Sequence, residues 1–176
     1  MSKSKSAAAA ALRPKVVIER TYRARPQELW ELWTSKAGFE SWWGPEGFRV
    51  EVHTLEAREG GALHYEMIAA APENIEAMRR MGRPTSHHTR GRFVEIRPYE
   101  RLVITHVIDF LPGVKPYESP LVVEFFPSGE SVRLRITLDP MHDAEFTKMS
   151  TMGLTSQLSK LDKRFAHRSK AAREKR

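Results

Sequence analysis

The longest periodic stretch of the chain is its last one, residues 141–169, which follows the stop formed by Asp139 and Pro140. Its large apolar residues recur at steps of four, three and four positions, so they share one stripe of an α-helix. They are Leu154, Leu158, Leu161 and Phe165. Toward the N-terminus the same face becomes smaller and more polar: Phe146, Thr147, Ser150, Gly153 and Gln157. Such a helix can seal a core with its second half and line a cavity with its first, although an ordinary amphipathic helix gives the same pattern.

Gly153 lies in the middle of this predicted helix. Glycine costs about 1 kcal/mol relative to alanine inside a helix, so its presence there needs a reason. We expect that another segment of backbone approaches the helix closely at this position.

Upstream of the helix the hydrophobic pattern has period two, which indicates β-strands. Seven segments show it: 16–22, 48–52, 63–67, 89–96, 101–110, 121–126 and 131–138. In the last segment, apolar residues alternate with Arg133 and Arg135, so one face of this strand is exposed to solvent, as is common in antiparallel sheets. Two short helices are predicted after the first strand, one opening at Pro26 and one reaching Trp43, and a small helix over 73–81 interrupts the strands.

Only the last helix is large enough to cover one face of such a sheet. Packing therefore predicts an α+β domain in which a curved antiparallel sheet of about seven strands wraps around the long C-terminal helix. We place this domain at residues 15–169, between a disordered tail at 1–14 and a basic tail at 170–176.

The composition and charge of the chain exclude several classes of partner and chemistry. The formal charge is +7, but residues 1–15 carry +4 and residues 160–176 carry +6, which leaves −3 on the other 144 residues. A nucleic-acid-binding face needs clustered Lys and Arg on the body of the domain, so no specific nucleic-acid partner is expected. The chain has no cysteine, which excludes disulfides and thiolate chemistry. No apolar run approaches the roughly 20 residues of a membrane span, so no membrane insertion is expected. The Ala7–Ala11 run is too short and too weakly apolar for a signal peptide, so we expect a cytoplasmic protein.

Several short segments of the chain form a recognisable set: 18–22, 25–26, 29–33, the Trp-Trp-Gly-Pro run at 42–45, Gly60-Gly61 with Tyr65, 91–96 and 100–103. Together they resemble the START-like (SRPBCC) superfamily, and within it the polyketide-cyclase-like branch named after activators of the heat-shock-ninety chaperone ATPase. The resemblance covers roughly residues 15–166 and implies the helix-grip fold, with a cavity between sheet and helix. The segments 75–78, 109–113 with 116–117, and 141–145 resemble one bacterial subgroup of that branch. In this subgroup tryptophan is expected near Phe146 and at Leu154, so the resemblance implies that this chain has a wider or differently shaped cavity.

Seven residues are candidates for lining that cavity: Trp43, Tyr65, Met67, His106, Phe146, Met149 and Gly153. His106 shares a strand face with Leu102, Ile104 and Ile108. A neutral histidine there could orient a polar ligand or act as a general base, and a satisfied, half-buried histidine without a chemical role is the alternative.

No metal and no cofactor are predicted. His64 and Glu66 alternate with the apolar residues of their strand, so we expect them to point to solvent and away from any ligand. His87 and His88 match no linear zinc pattern. The glycine-rich phosphate-binding loops and the Gly-x-Ser-x-Gly nucleophile turn are absent as well.

Three hypotheses about function follow. The first is a carrier or sensor, monomeric or homodimeric, that binds a small hydrophobic ligand in the cavity. The second is a cyclase- or hydrolase-like enzyme that acts on a hydrophobic substrate there. The third, which the resemblance implies, is an interaction protein that binds a chaperone and activates its ATPase.

Overall fold

One antiparallel sheet of seven strands forms the body of the protein. The computed structural model describes residues 13–175. The strands are β1 (Val16–Tyr22), β2 (Phe48–Leu55), β3 (Ala62–Ala69), β4 (Ser86–Arg97), β5 (Arg101–Ile108), β6 (Tyr117–Ser128) and β7 (Ser131–Leu138). Their spatial order is β1-β7-β6-β5-β4-β3-β2, so the first two strands in sequence lie at opposite edges of the sheet.

Two short helices connect those opposite edges. Helix α1 (Pro26–Thr34) opens with proline, which lacks the N–H that a first helical turn leaves unpaired anyway. Helix α2 (Lys36–Glu40) is capped by Ser35, whose hydroxyl oxygen accepts a bond of 3.0 Å from the Gly38 N–H. This helix ends at Glu40 and does not reach Trp43, because the residues after it turn to place both tryptophans in the core.

Helix α3 (Pro72–Arg80) is the predicted interruption of the strand series. Helix α4 (Ala144–Glu174) is the long C-terminal element. It starts three residues later than expected because the Asp143 side chain caps it, accepting a bond of 2.6 Å from the Phe146 N–H. It also runs through most of the stretch expected to be a basic tail. Residues 1–12, which cover nearly all of the expected disordered tail, lie outside the described residues.

The predicted architecture is confirmed: α4 packs against the concave face of the curved sheet. Its apolar stripe, Leu154, Leu158, Leu161 and Phe165, is buried in the same cluster as the inward residues of β5, β6 and β7. Tyr22 of β1 fixes the second half of the helix, since its ring lies 5.1 Å from that of Phe165 and its hydroxyl donates a 2.6 Å bond to Asp162. The last strand has the expected wet face, where Arg133 and Arg135 both pair with Glu19.

An aromatic cluster fills the space between α1, α2 and the sheet. Trp33, Phe39, Trp42 and Trp43 are all buried, and Phe39 stacks on Trp43 with ring centroids 4.9 Å apart. The indole N–H of Trp42 donates to the backbone oxygen of Leu32 at 2.9 Å. Both tryptophans of the Trp-Trp-Gly-Pro run are therefore held rigidly from α1 and α2.

Within residues 13–175 no helix combines the length and the apolar character needed to cross a membrane.

Candidate functional site: a cavity between the long helix and the sheet

A cavity of about 250 Å³ separates the first half of α4 from strands β3 to β6. Its walls are mostly apolar. The sheet contributes Tyr65, Met67, Thr89, His106, Ile108, Ser119 and Leu121, and the helix contributes Phe146, Ser150, Gly153, Leu154 and Gln157. The cavity exists because, between Phe146 and Leu154, the inward face of α4 carries only the small residues Ser150 and Gly153. These leave the sheet beneath them uncovered.

Three aromatic side chains bring hydrogen-bonding atoms into the wall. The indole N–H of Trp43 donates to the hydroxyl oxygen of Tyr65 at 3.0 Å, and that oxygen lies 3.2 Å from Nε2 of His106. The Trp43 and His106 rings are nearly parallel, with centroids 6.1 Å apart. The Tyr65 hydroxyl therefore links the indole of Trp43 to the imidazole of His106 in one chain of hydrogen bonds.

Burial keeps both partners of this pair uncharged at neutral pH. It lowers the pKa of His106 to about 4, and it raises the pKa of Tyr65. His106 is half-buried because it lines the cavity, and within residues 13–168 no carboxylate stabilises its charged form. The site therefore presents neutral hydrogen-bonding groups in an apolar wall.

The loop after Trp43 is bound directly to α4. The backbone N–H of Gly44 donates to Oε1 of Gln157 at 3.2 Å, and that of Glu46 donates to the Ser156 hydroxyl at 3.0 Å. Gly44 has φ of 96°, a conformation that favours glycine, so the chain can turn here without strain. These bonds hold Trp43 against the cavity and set the distance between loop and helix.

Exposed lining residues mark the entrance. The Phe110 side chain is 50% exposed, and its ring lies 5.3 Å from that of His87. On the helix side, Phe146 packs against His142 at 4.9 Å, and Tyr117 holds His142 through a 3.0 Å bond to Nδ1. The entrance is thus framed by aromatic rings from β4, the β5–β6 connection and α4.

Six of the seven candidate residues line the cavity: Trp43, Tyr65, Met67, His106, Phe146 and Gly153. Met149 does not, and its side chain is 56% exposed. The lining face of the helix is centred near Ser150 and Gln157. Successive helical residues are rotated by about 100°, so Met149 lies beyond the edge of that face, on the side away from the apolar stripe.

The expected close backbone approach at Gly153 is also wrong. A Cβ built there would have no neighbouring atom within 4 Å, because the position faces open space. Other lining residues escaped the sequence analysis, among them Thr89, Ser119 and Met141. Thr89 is the register partner of Tyr65, so the pairing of β3 with β4 was the signal needed to find it.

Two alanine substitutions are expected to change stability in opposite directions. At Gly91 of β4 an added Cβ would lie 2.8 Å from the backbone oxygen of Thr105 and 3.3 Å from Cδ2 of His106. Since overpacking against backbone is costly, Gly91→Ala should lower the free energy of unfolding by about 1–3 kcal/mol. Gly153→Ala meets no neighbour, so it should raise that free energy by up to about 1 kcal/mol. Urea titration measures both, and a destabilised Gly153→Ala would contradict an open space beside the helix.

Comparison with known proteins agrees with this fold. Among solved structures, the chain is similar to a protein from Chromobacterium violaceum, with 22% sequence identity and a TM-score of 0.68 over 86% of this chain and 96% of that one. It is similar to the AHSA1 protein from Silicibacter pomeroyi, with 22% identity and a TM-score of 0.68 over 88% and 99%. A protein from Nitrosomonas europaea matches with 17% identity and a TM-score of 0.64 over 88% and 95%. No match was found among curated proteins.

These identities show a shared fold and nothing finer. The family assignment comes from the sequence itself, because the model of the family described as "Activator of Hsp90 ATPase homolog 1-like protein" matches residues 23–166. That range runs from the end of β1 to the apolar stripe of α4, and so includes the cavity-lining residues. The chain belongs to the Activator of Hsp90 ATPase homolog 1-like family, in the START-like (SRPBCC) superfamily.

Proposed function

We propose that this protein binds a small, neutral, mainly hydrophobic ligand in the cavity between α4 and the sheet, as a carrier or sensor. The observation that carries the proposal is the open space beside Gly153. Alanine would stabilise the helix at this position and would meet no atom within 4 Å. Glycine at this position costs helix stability, and the absence of a side chain there widens the cavity.

The walls define the chemistry of the ligand. Most of the lining is aliphatic or aromatic, so the body of the ligand is apolar. The Tyr65–His106 pair and Gln157 supply the polar contacts. Burying a charge beside neutral groups would be costly, which favours an uncharged ligand with one or two hydrogen-bonding atoms. The volume of about 250 Å³ lies below the roughly 300–1,000 Å³ of sites for drug-sized molecules, so the ligand is small.

Native mass spectrometry of freshly purified protein, followed by thermal unfolding with a panel of small apolar alcohols, ketones and phenols, tests the proposal. A ligand at 100 times its Kd should stabilise the folded state by about 2.7 kcal/mol. Gly153→Phe places a ring in the cavity without a backbone clash, so this variant should fold and lose the ligand-induced shift in Tm.

Met152→Phe is the matched control, because it introduces the same ring at the preceding residue of the helix, which is 63% exposed. It should keep the full shift. If no compound in the panel and no component of a cell extract raised the Tm of the wild-type protein, ligand binding in this cavity would be refuted. If the ligand raised the Tm of the Gly153→Phe variant as much as that of the wild type, the ligand would bind outside this cavity.

The pKa of His106 favours binding over acid–base catalysis. A general base works best when its pKa lies near the operating pH, and a value of about 4 is well below neutrality. The imidazole is therefore better suited to hold a ligand than to take its proton. An enzyme in this cavity would reveal itself by turnover that His106→Ala abolishes without unfolding the protein.

The family description favours a second candidate function, activation of a chaperone ATPase. A pull-down with the purified heat-shock-ninety chaperone, together with ATPase assays with and without this protein, decides it. Binding at micromolar concentration and a faster ATPase rate support the role, and the absence of both at that concentration refutes it.

A further inference from the structure

Three potential metal ligands converge on the outer face of the sheet, opposite the cavity. They are His53 of β2, Glu66 of β3 and His88 of β4, and their ligand atoms all lie within 4.8 Å of one another. Glu66 and His88 are direct register partners. The register of β2 and β3 shifts between Val52 and Thr54, and His53 is the extra residue of this bulge, so its ring reaches the same patch.

One of the two carboxylate oxygens of Glu66 is enclosed by the protein. Its Oε2 atom is buried, and within the described part of the chain it has no hydrogen-bond partner. The rings of His53 and His88 approach each other with centroids 5.8 Å apart and an angle of 29° between their planes. A buried carboxylate oxygen without a partner costs about 1–3 kcal/mol or more, and a cation between the three side chains would remove that cost.

We propose that His53, Glu66 and His88 form a binding site for one divalent transition-metal ion such as Zn²⁺. Two imidazoles and one carboxylate form a ligand set that Zn²⁺ accepts, and it leaves one tetrahedral position for water or a further ligand. Ligand atoms of a tetrahedral zinc site lie about 3.4 Å apart, so these atoms need to approach one another by at most about 1.4 Å. His53 and His88 are exposed on the surface and can change rotamer to do so.

The residue pattern predicted no metal site and indicated that Glu66 points to solvent. Glu66 lies on the expected face of the sheet, but it is half-buried and one of its carboxylate oxygens is enclosed. Zinc motifs place ligands at short, regular intervals. Here the ligands come from three different strands, so only strand pairing brings them together.

The site lies directly behind the cavity wall. Tyr65 and Met67 flank Glu66, while His87 and Thr89 flank His88, and all four line the cavity on the opposite face. A bound ion would link β2, β3 and β4 and so hold that wall in one shape.

Isothermal titration calorimetry of ZnCl₂ into untagged, EDTA-treated and desalted protein tests the proposal. We expect one ion per chain and a higher Tm in its presence. Glu66→Gln keeps the shape but removes the charge, and His88→Asn removes an exposed ligand at little risk to folding. Each should weaken binding by at least about tenfold. The control His167→Asn removes an exposed histidine of α4 and should leave the affinity unchanged.

A Co²⁺-loaded sample gives an independent readout, since its visible absorption reports the coordination of the ion by these side chains. The wild-type protein should show a Co²⁺ spectrum that the His88→Asn variant lacks. Failure of the wild-type protein to bind Zn²⁺ would overturn the proposal. So would an affinity that the Glu66→Gln and His88→Asn variants share with the wild type.

Discussion

Acidification from pH 7 to pH 4 is expected to destabilise the wild-type protein by up to about 3 kcal/mol more than the His106→Gln variant. Burial lowers the pKa of His106 from the ordinary 6.5 to about 4 in the folded state. The unfolded chain therefore takes up the proton first as the pH falls. The stability tied to the neutral imidazole is complete above about pH 6.5 and is lost as the pH falls through the folded-state value near 4.

Urea unfolding at half-unit intervals between pH 4 and pH 7.5 measures this difference. Glutamine retains a group that can hydrogen-bond to Tyr65 but does not titrate. The other titratable groups of the cavity, Tyr65 and His87, are present in both proteins, so the difference between the two curves isolates His106. His167→Gln, a change at an exposed helical histidine, should follow the wild-type curve. Parallel curves for wild type and His106→Gln would show that the imidazole is not kept neutral by burial.

Leu161→Ala is expected to lower the free energy of unfolding by about 2–5 kcal/mol, because the Leu161 side chain is 0% exposed and close-packed. Leu154→Ala removes the same atoms about two helical turns closer to the cavity. Since Leu154 borders space that is already open, its truncation breaks fewer contacts and should cost less than that of Leu161. Urea titration of both variants, with Met152→Ala as an exposed control expected within about 0.5 kcal/mol of wild type, measures the gradient.

The informative result is which substitution, Leu161→Ala or Leu154→Ala, lowers the free energy of unfolding more. A larger loss at Leu161 means that the second half of α4 anchors the helix, while the first half forms a wall over a space that is not packed. Equal losses would indicate that the helix is packed uniformly along its length, which contradicts the cavity. Tyr22 contributes to the anchor, since its bond to Asp162 and its contact with Phe165 both lie in the second half of the helix.

Helix α4 shows which structural features the spacing of residues can predict and which it cannot. The steps between Leu154 and Phe165 predicted the buried stripe because helical geometry links spacing to direction. The same geometry failed at Met149, since the edge of a lining face depends on the angle at which the helix meets the sheet. Gly153 was recognised as unusual, but spacing alone does not tell whether a glycine faces backbone or empty space.

The sequence by itself determined which segments form strands and helices, which faces they bury, and the family to which the chain belongs, since these follow from local periodicity and short motifs. The tertiary structure decided the pairing of Tyr65 with His106, the neutrality of that pair, and the meeting of His53, Glu66 and His88 across three strands. These features depend on strand register and on burial. Both arise from contacts between residues far apart in the chain, and no local pattern records them.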